Sequence, residues 1–343
     1  MQIINSAIDF IIVGENIHAT RIVLRNGKRS ITLDNGEEVV LFKDKNNTSH
    51  QLTIPESYKK RQPYKAGHIK HFMIAVENAM TNASKEASEG SLYIESEIIR
   101  QERKGAKYID LNIDEISHKK DIQIKAMEWL VTFAETIASV PLSIDSSNPE
   151  IIEAGLKKHN LKTSPMINSA ALERIDILDI VKKYKTKVII TAAGSDGMPT
   201  NSKERIENSK LMLSECNKRN IPLSDIYIDP LVFPISVDKS YGLHYLDTVK
   251  ALRKEFGKNL HITGGLSNVS FGLPKRKLIN DSFIRLGIEY GIDSGIIDPI
   301  QSNIEQILEL DIKKPNVNFA IKMLLGEDEF CINYITAFRN GNL

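Results

Sequence analysis

A set of carboxylates and amides recurs along the chain wherever a short apolar run gives way to polar residues. It comprises Glu15 and Asn16, Asp110 with Asn112 and Asp114, Asp145, Asn168, Thr191, Asp229, Asn268 and Asp298. Such side chains accept hydrogen bonds from N–H groups, and the amides also donate. Hardly any cation accompanies them. A phosphate-bearing ligand would call for Lys, Arg or a Gly-rich helix N-terminus, so the set points to a ligand rich in N–H donors. Each Asp or Asn taken singly could equally cap a helix or close an Asx-turn. Their recurrence at nearly every run is what argues for a site.

Position turns this list into a constellation. Apolar runs at 10–13, 108–111, 142–144, 165–167, 187–190, 226–228, 260–263 and 295–297 read as eight buried strands. Between them, 122–138, 149–159, 172–184, 202–220, 241–256, 279–290 and 300–325 carry helical spacing with charged faces. Eight strand–helix repeats predict a closed (β/α)8 TIM barrel, in which residues after each strand point toward one mouth. Residues 22–64 break the alternation. Asn26-Gly27 and Asn35-Gly36 sit between strand-prone runs at 21–24, 29–33 and 38–42, which predicts a small β-meander inserted after strand 1. Leaving that strand at its C-terminal end, the insertion is expected to rim the mouth. Beyond it, 67–80 and 91–104 read as two helices separated by the polar stretch 81–90. Near the end of the run at 260–263, Gly264-Gly265 precede Ser267-Asn268. Two glycines let the backbone leave a strand in conformations other residues resist, so that a ligand comes close and the turn holds Asn268. The plainer reading of the pair is a flexible turn.

Bulk composition narrows the function classes. The 343 residues suit one large barrel, here expected to be a single domain, and Lys+Arg 45 against Asp+Glu 44 leaves no global field to recruit nucleic acid or an anionic membrane. No apolar stretch approaches the roughly 18 residues of a membrane span. The start of the chain, 1–10, lacks a cationic leader pattern, which favours a cytoplasmic location. Cys216 and Cys331 lack metal-ligand spacing and read as structural thiols, so no bound metal is expected.

A pterin fits the ring of acceptors. Its amino group and adjacent ring N–H form a donor edge that a carboxylate accepts in bidentate fashion, while amides serve the carbonyl edge. The segments Val13-Gly14-Glu15-Asn16-Ile17, Gly105-Ala106-Lys107-Tyr108-Ile109-Asp110-Leu111-Asn112, Ile144-Asp145-Ser146-Ser147-Asn148, Pro165-Met166-Ile167-Asn168-Ser169, Tyr227-Ile228-Asp229-Pro230-Leu231 and Gly264 to Pro274 follow in that order. Together they resemble the pterin-binding barrel shared by dihydropteroate synthases and methyltetrahydrofolate methyltransferases. The last two point to the methyltransferase branch, which includes the folate module of cobalamin-dependent methionine synthase. The resemblance runs from about residue 10 to about 300, excluding 22–64.

The resemblance implies that Asp145, Asn168 and Asp229 bind the pterin edge and that Asn268 is the catalytic amide, reaching N5. It places Asp110 and Asn112 in the same pocket, Glu15 among the folate-binding residues, and Arg276 near the pterin carbonyl; the plainer reading of Lys275-Arg276-Lys277 is a solvated basic turn. Phe271 agrees with the methionine-synthase-like pattern. The implied reaction moves a methyl group between N5 of tetrahydrofolate and the cobalt of a corrinoid. This chain lacks an Asp-x-His-x-x-Gly motif, since His244 sits in Gly242-Leu243-His244-Tyr245. The corrinoid (cobalamin) is therefore expected on a separate partner protein, and the resemblance implies a homodimer. Alternative functions are a dihydropteroate synthase, whose basic pyrophosphate cradle is not evident, and a non-catalytic folate-binding protein.

Overall fold

Apolar runs bounded by polar residues become parallel strands because both faces of each are covered, and the hairpin signals after the first strand become a small antiparallel sheet. The computed structural model describes residues 4, 6–81, 84–160 and 163–343. In chain order the strands are β1 (Ile11–His18), β2 (Val23–Leu24), β3 (Ser30–Thr32), β4 (Glu38–Lys43), β5 (Ser49–Thr53), β6 (His68–Ile69), β7 (Ala106–Asn112), β8 (Leu142–Asp145), β9 (Met166–Ala170), β10 (Lys187–Thr191), β11 (Ile226–Asp229), β12 (His261–Ile262) and β13 (Ser294–Ile297). Eight of them form one sheet in the order β12-β11-β10-β9-β8-β7-β1-β13. Its two ends meet: Gly265, just past β12, pairs in parallel with Ile296 of β13, and the Ile296 N–H donates to the Gly264 carbonyl at 2.9 Å. The fold is the (β/α)8 barrel that the alternation predicts.

The chain divides into two compact units, Gly14–Pro165 and Met1–Val13 with Met166–Leu343. In the first, β7 and β8 pair in parallel with Asn112 opposite Asp145, so two of the polar strand ends are neighbours by register. The insertion departs from its expected pairing. Its meander is β3-β4-β5, whereas β2 pairs antiparallel with β6. β5 escapes a sequence reading because Ser49-His50-Gln51 lacks apolar alternation, and only Leu52 and Thr53 are buried. The two helices that follow are His71–Ala79 and Ser84–Arg103. The polar stretch 81–90 is thus largely the start of a helix, and its residues 82 and 83 lie outside the described residues. Gly90 explains the close approach of these helices: a Cβ there would stand 2.3 Å from the Ala75 carbonyl oxygen.

In the second unit β9, β10, β11 and β12 pair in parallel, with Thr191 opposite Asp229. The expected helix 300–325 is two, Ile304–Leu308 and Pro315–Leu324, because Pro315 opens a helix rather than continuing one. A last helix, Ile332–Arg339, has no counterpart in the sequence reading. At the N-terminal end of β12, Asp293 accepts from the Ile262 N–H at 2.8 Å, pairs with His261 Nδ1 at 2.8 Å, and lies 3.2 Å from the Arg253 guanidinium. Charges at this end are neutralised in place, as expected of a face that serves stability. Among the described residues no helix is long and apolar enough to cross a membrane. Positions 1–3 and 5 of the N-terminal stretch lie outside the described residues.

Candidate functional site

In the unit Gly14–Pro165, the strand ends of β1, β7 and β8 build an acidic cluster around Asp145. Asn112 donates from Nδ2 to Asp145 Oδ2 at 3.0 Å, while its Oδ1 accepts from the Asp114 N–H at 3.1 Å. That pair of bonds fixes which way the amide faces. Asp110 and Asn112 are buried, and Asp145 is half-buried at the end of its strand. Burial pushes the Asp145 carboxyl well above the usual carboxylate range; the nearby charge of Asp110 pushes the same way, and the Asn112 hydrogen bond opposes. Asp114 is already spoken for, accepting from Ser146 Oγ at 2.5 Å and from Ser147 N and Oγ at 2.8 Å each. It ties down the loop that follows Asp145. Glu15 is ion-paired with Arg21 at 3.0 Å, so its carboxylate has a protein partner. The plain capping reading holds at Asn148, whose side chain accepts from the Glu150 N–H at 2.9 Å.

Sequence reasoning missed His18, because β1 runs on to His18 rather than stopping near Val13. The polar Glu15-Asn16 conceals that continuation, yet Ile17 between two polar neighbours keeps the alternation of a strand. His18 Nδ1 accepts from the Thr20 N–H at 3.2 Å and lies 2.8 Å from Thr20 Oγ1, which leaves the proton on Nε2, 3.6 Å from Asp145 Oδ2. Burial first, then the charge of Arg21, lowers the imidazole to about 4. At neutral pH His18 therefore presents a neutral N–H toward the Asp145 carboxylate.

In the other unit, Asp229 ends β11 and Asn268 lies in the 3-10 turn Leu266–Ser270 after β12. The Leu231 N–H donates to Asp229 Oδ1 at 2.7 Å, and the Gly265 N–H also bonds to this carboxylate. Burial pushes Asp229 up to about 6; the two N–H bonds and the charge of Arg205 pull it down. Gly265 also carries Asn268, whose Nδ2 would stand 2.9 Å from a Cβ at that position. Gly264 is close-packed likewise: a Cβ there would stand 2.9 Å from the Tyr245 hydroxyl. Neither glycine has a positive φ, so the pair corrects the expectation of an unusual backbone: what these positions supply is room for the Tyr245 and Asn268 side chains to pack closely. Among the described residues the half-buried Asn268 side chain makes no hydrogen bond, leaving its amide free to donate and accept.

Arg276 donates from Nη2 to the Ser267 carbonyl at 2.9 Å and from Nε to Ser270 Oγ at 3.0 Å, with its guanidinium 4.5 Å from the centre of the Phe271 ring. It braces the turn that carries Asn268, while Lys275, Arg276 and Lys277 are all exposed, as the solvated reading expects. Asn168 stands half-buried in β9, opposite Ile189, and the ladder skips Ser169 just after it. Asp298 accepts from the Ile300 N–H at 2.9 Å and from Gln301 Nε2 at 3.0 Å, the turn-closing role that a lone Asp also suggests. A cleft of about 630 Å³ bordered by Lys250, Lys254, Lys258 and Tyr290 lies by the N-terminal ends of β12 and β13 and contains none of these residues. Among the described residues no three His, Cys, Asp or Glu are grouped to hold a metal ion, and both cysteines are buried.

This is a barrel whose strand ends are rich in acceptors, with one amide held free on a glycine. A model of the pterin binding enzymes matches residues 87–298, and the chain belongs to that family. It is 31% identical over 257 residues to a methylcorrinoid:tetrahydrofolate methyltransferase of Eubacterium limosum, spanning 73% of this chain and 89% of that protein. Dihydropteroate synthase from Stenotrophomonas maltophilia, solved with imidazole in its active site, has a TM-score of 0.53 at 12% identity, over 64% of this chain and 86% of that one. The Yersinia pestis enzyme with a sulfonamide drug gives 0.51 at 12%, over 66% and 86%. At such identities the likeness is one of fold.

Proposed function

We propose that this protein is a methyltransferase that moves a methyl group between N5 of tetrahydrofolate and the cobalt of a corrinoid carried by a separate protein. Membership of the pterin-binding enzymes supports a folate substrate, and the name of the Eubacterium limosum relative supports the corrinoid as methyl donor or acceptor. In this reading Asp145 and Asp229 accept from the donor edge of the pterin, Asn168 serves its amide edge, and Asp110, Asn112 and Glu15 orient the acceptors around Asp145.

The observation that carries the reading is the free amide of Asn268, seated on Gly265 while the Gly265 N–H is held by Asp229. Breaking the bond between N5 and its methyl group leaves negative charge on nitrogen, so a donor whose bond strengthens during that step lowers the barrier. Asn268 Nδ2 can donate there, its position fixed by the turn and by the Arg276 brace. Asparagine does not titrate in the working range, so the proton that ends on N5 comes from solvent.

Asn268→Ala is expected to keep methyltetrahydrofolate affinity within about tenfold while methyl transfer falls on the order of a hundredfold or more, as for loss of one preorganised donor. Single-turnover stopped flow with a cobalt(I) corrinoid protein, following the cobalt(I) absorbance, reads the rate. A transfer rate near that of the unmodified enzyme would sink the proposal.

A further inference from the structure

Arg205 has no role in the chemistry so far, yet its environment is unusual. It lies on the helix Ser202–Lys218 and is fully buried. Its Nε donates to the Pro230 carbonyl at 3.0 Å, and its guanidinium lies 5.0 Å from the centre of the Phe233 ring. Nη1 and Nη2 have no hydrogen-bond partner among the described residues. A buried cation that uses one of its donors in this way is costly, and removing water from it without a counter-charge is not something a helix needs for its own stability. Asp229 stands one residue along the chain from its carbonyl partner, and after Tyr241 and ahead of Glu204 it favours the charged guanidinium.

We propose that Arg205 is a positioning residue for folate binding: a buried cation behind the end of β11 that holds the Asp229–Pro230–Leu231 turn through the Pro230 carbonyl and so sets Asp229 in place as an acceptor. The inference rests on the reading of Asp229 as a pterin acceptor. Several groups set the local field. Glu204 and Tyr241 bear on Arg205 itself. Tyr245, from the helix Tyr241–Phe256, feels the charge of Asp229, but its hydroxyl donates to the Thr263 carbonyl at 2.7 Å and burial keeps it neutral. Burial raises Asp229 most; the N–H groups of Leu231 and Gly265 oppose it first, and the charge of Arg205 adds to them. Without it, burial is opposed by neutral donors alone, and the carboxyl keeps its proton to higher pH. A protonated carboxyl loses half of its capacity to accept from a pterin donor edge.

The test is calorimetric titration of the full chain with 5-methyltetrahydrofolate from about pH 5.5 to about pH 9. Arg205→Gln keeps a donor for the Pro230 carbonyl and removes the charge; Arg205→Met is a second neutral variant, since apolar replacements of buried charges are often tolerated. Arg205→Lys keeps the charge and loses the planar fork. In either neutral variant the pH at which affinity falls is expected to move up, so that roughly twofold or more is lost near neutral pH and regained at the alkaline end. Arg205→Lys is expected to keep the original midpoint. An unmoved midpoint in a folded neutral variant overturns the inference, as does a shift in the Lys variant equal to that in the Gln variant. Asp229→Asn separates the two levels: if it binds folate normally, the assignment of Asp229 fails, whereas if it does not and the Arg205 variants leave the midpoint in place, only the role of Arg205 fails.

Discussion

Asp145 and Asp229 end parallel strands, β8 and β11, and burial raises both carboxyls, but their neighbours differ in kind. Around Asp145 the protein places further acids: Asp110 and Asp114 push it higher, the Asn112 amide opposes, and His18 stands by as a neutral N–H. Around Asp229 it places donors, two backbone N–H groups and the cation of Arg205. The difference teaches how two carboxyls of similar burial come to act differently. Under the proposed function, donors arriving at Asp145 would relieve a repulsion built into its cluster, whereas donors arriving at Asp229 would meet an acceptor that fixed dipoles have already organised.

The largest effect expected from this contrast is on folate affinity. Hydrogen bonds to charged groups are worth about 1.5–3 kcal/mol, so Asp145→Ala and Asp229→Ala should each weaken binding by on the order of tenfold to a hundredfold. The factor should be similar for methylated and unmethylated tetrahydrofolate, because the pterin edge is the same in both. Calorimetry with the two ligands checks this. Unchanged affinity in either variant would remove that carboxylate from the site and break the pairing of the two.

A somewhat smaller effect sharpens the contrast through stability, where the signs are opposite. Asp229 rises from 3.8 to about 6 on folding, so the folded state holds a proton that the unfolded state has released between those values. Stability from this group is therefore gained as pH falls through about 6, and the penalty is complete at neutral pH. Asp229→Asn should stabilise by about 2 kcal/mol near pH 7.5, with the gain vanishing near pH 4. His18 falls from 6.5 to about 4, so acidification through that window protonates the unfolded chain first and costs stability. His18→Gln should change little at neutral pH and resist acid better, by about 1–2 kcal/mol once partial exposure is allowed for. Urea unfolding of each variant at both pH values decides; shifts of the same sign in the two would remove the contrast.

How legible each environment is in the sequence follows from where its parts lie. Asp145 with Asp110, Asn112 and Asp114, and Asp229 and Asn268, stand at the ends of apolar runs, and the alternation of runs fixes the barrel that presents them. His18 was hidden because polar residues inside β1 look like the end of a strand when only one face is counted. Arg205 sits near the start of its helix, four residues from the capping Asn201, where a sequence pattern reads a solvated face; only packing shows that it is buried. The brace that Arg276 makes and the close packing at Gly265 are not legible for a related reason. Each is a contact with a turn whose geometry is set by the tertiary fold, and neither composition nor periodicity reports how closely Asn268 packs over Gly265.

Gly265 offers the finest way to probe the donor-organised side. Its φ of −71° and ψ of 74° are open to alanine, so backbone strain is not at issue. The added Cβ would meet Asn268 Nδ2 at 2.9 Å, and the amide at the far end of a flexible side chain is what gives way. Gly265→Ala should therefore fold and retain the N–H bond to Asp229, keeping folate affinity nearly unchanged. Methyl transfer should fall by roughly tenfold, since a donor displaced by a fraction of an ångström loses part of its transition-state advantage and not all of it. Single-turnover rates and calorimetry on the same preparation separate the two quantities. A parallel loss of affinity would mean that the substitution had disturbed Asp229, and an unchanged rate would mean that the seat under Asn268 does not set the position from which its amide works.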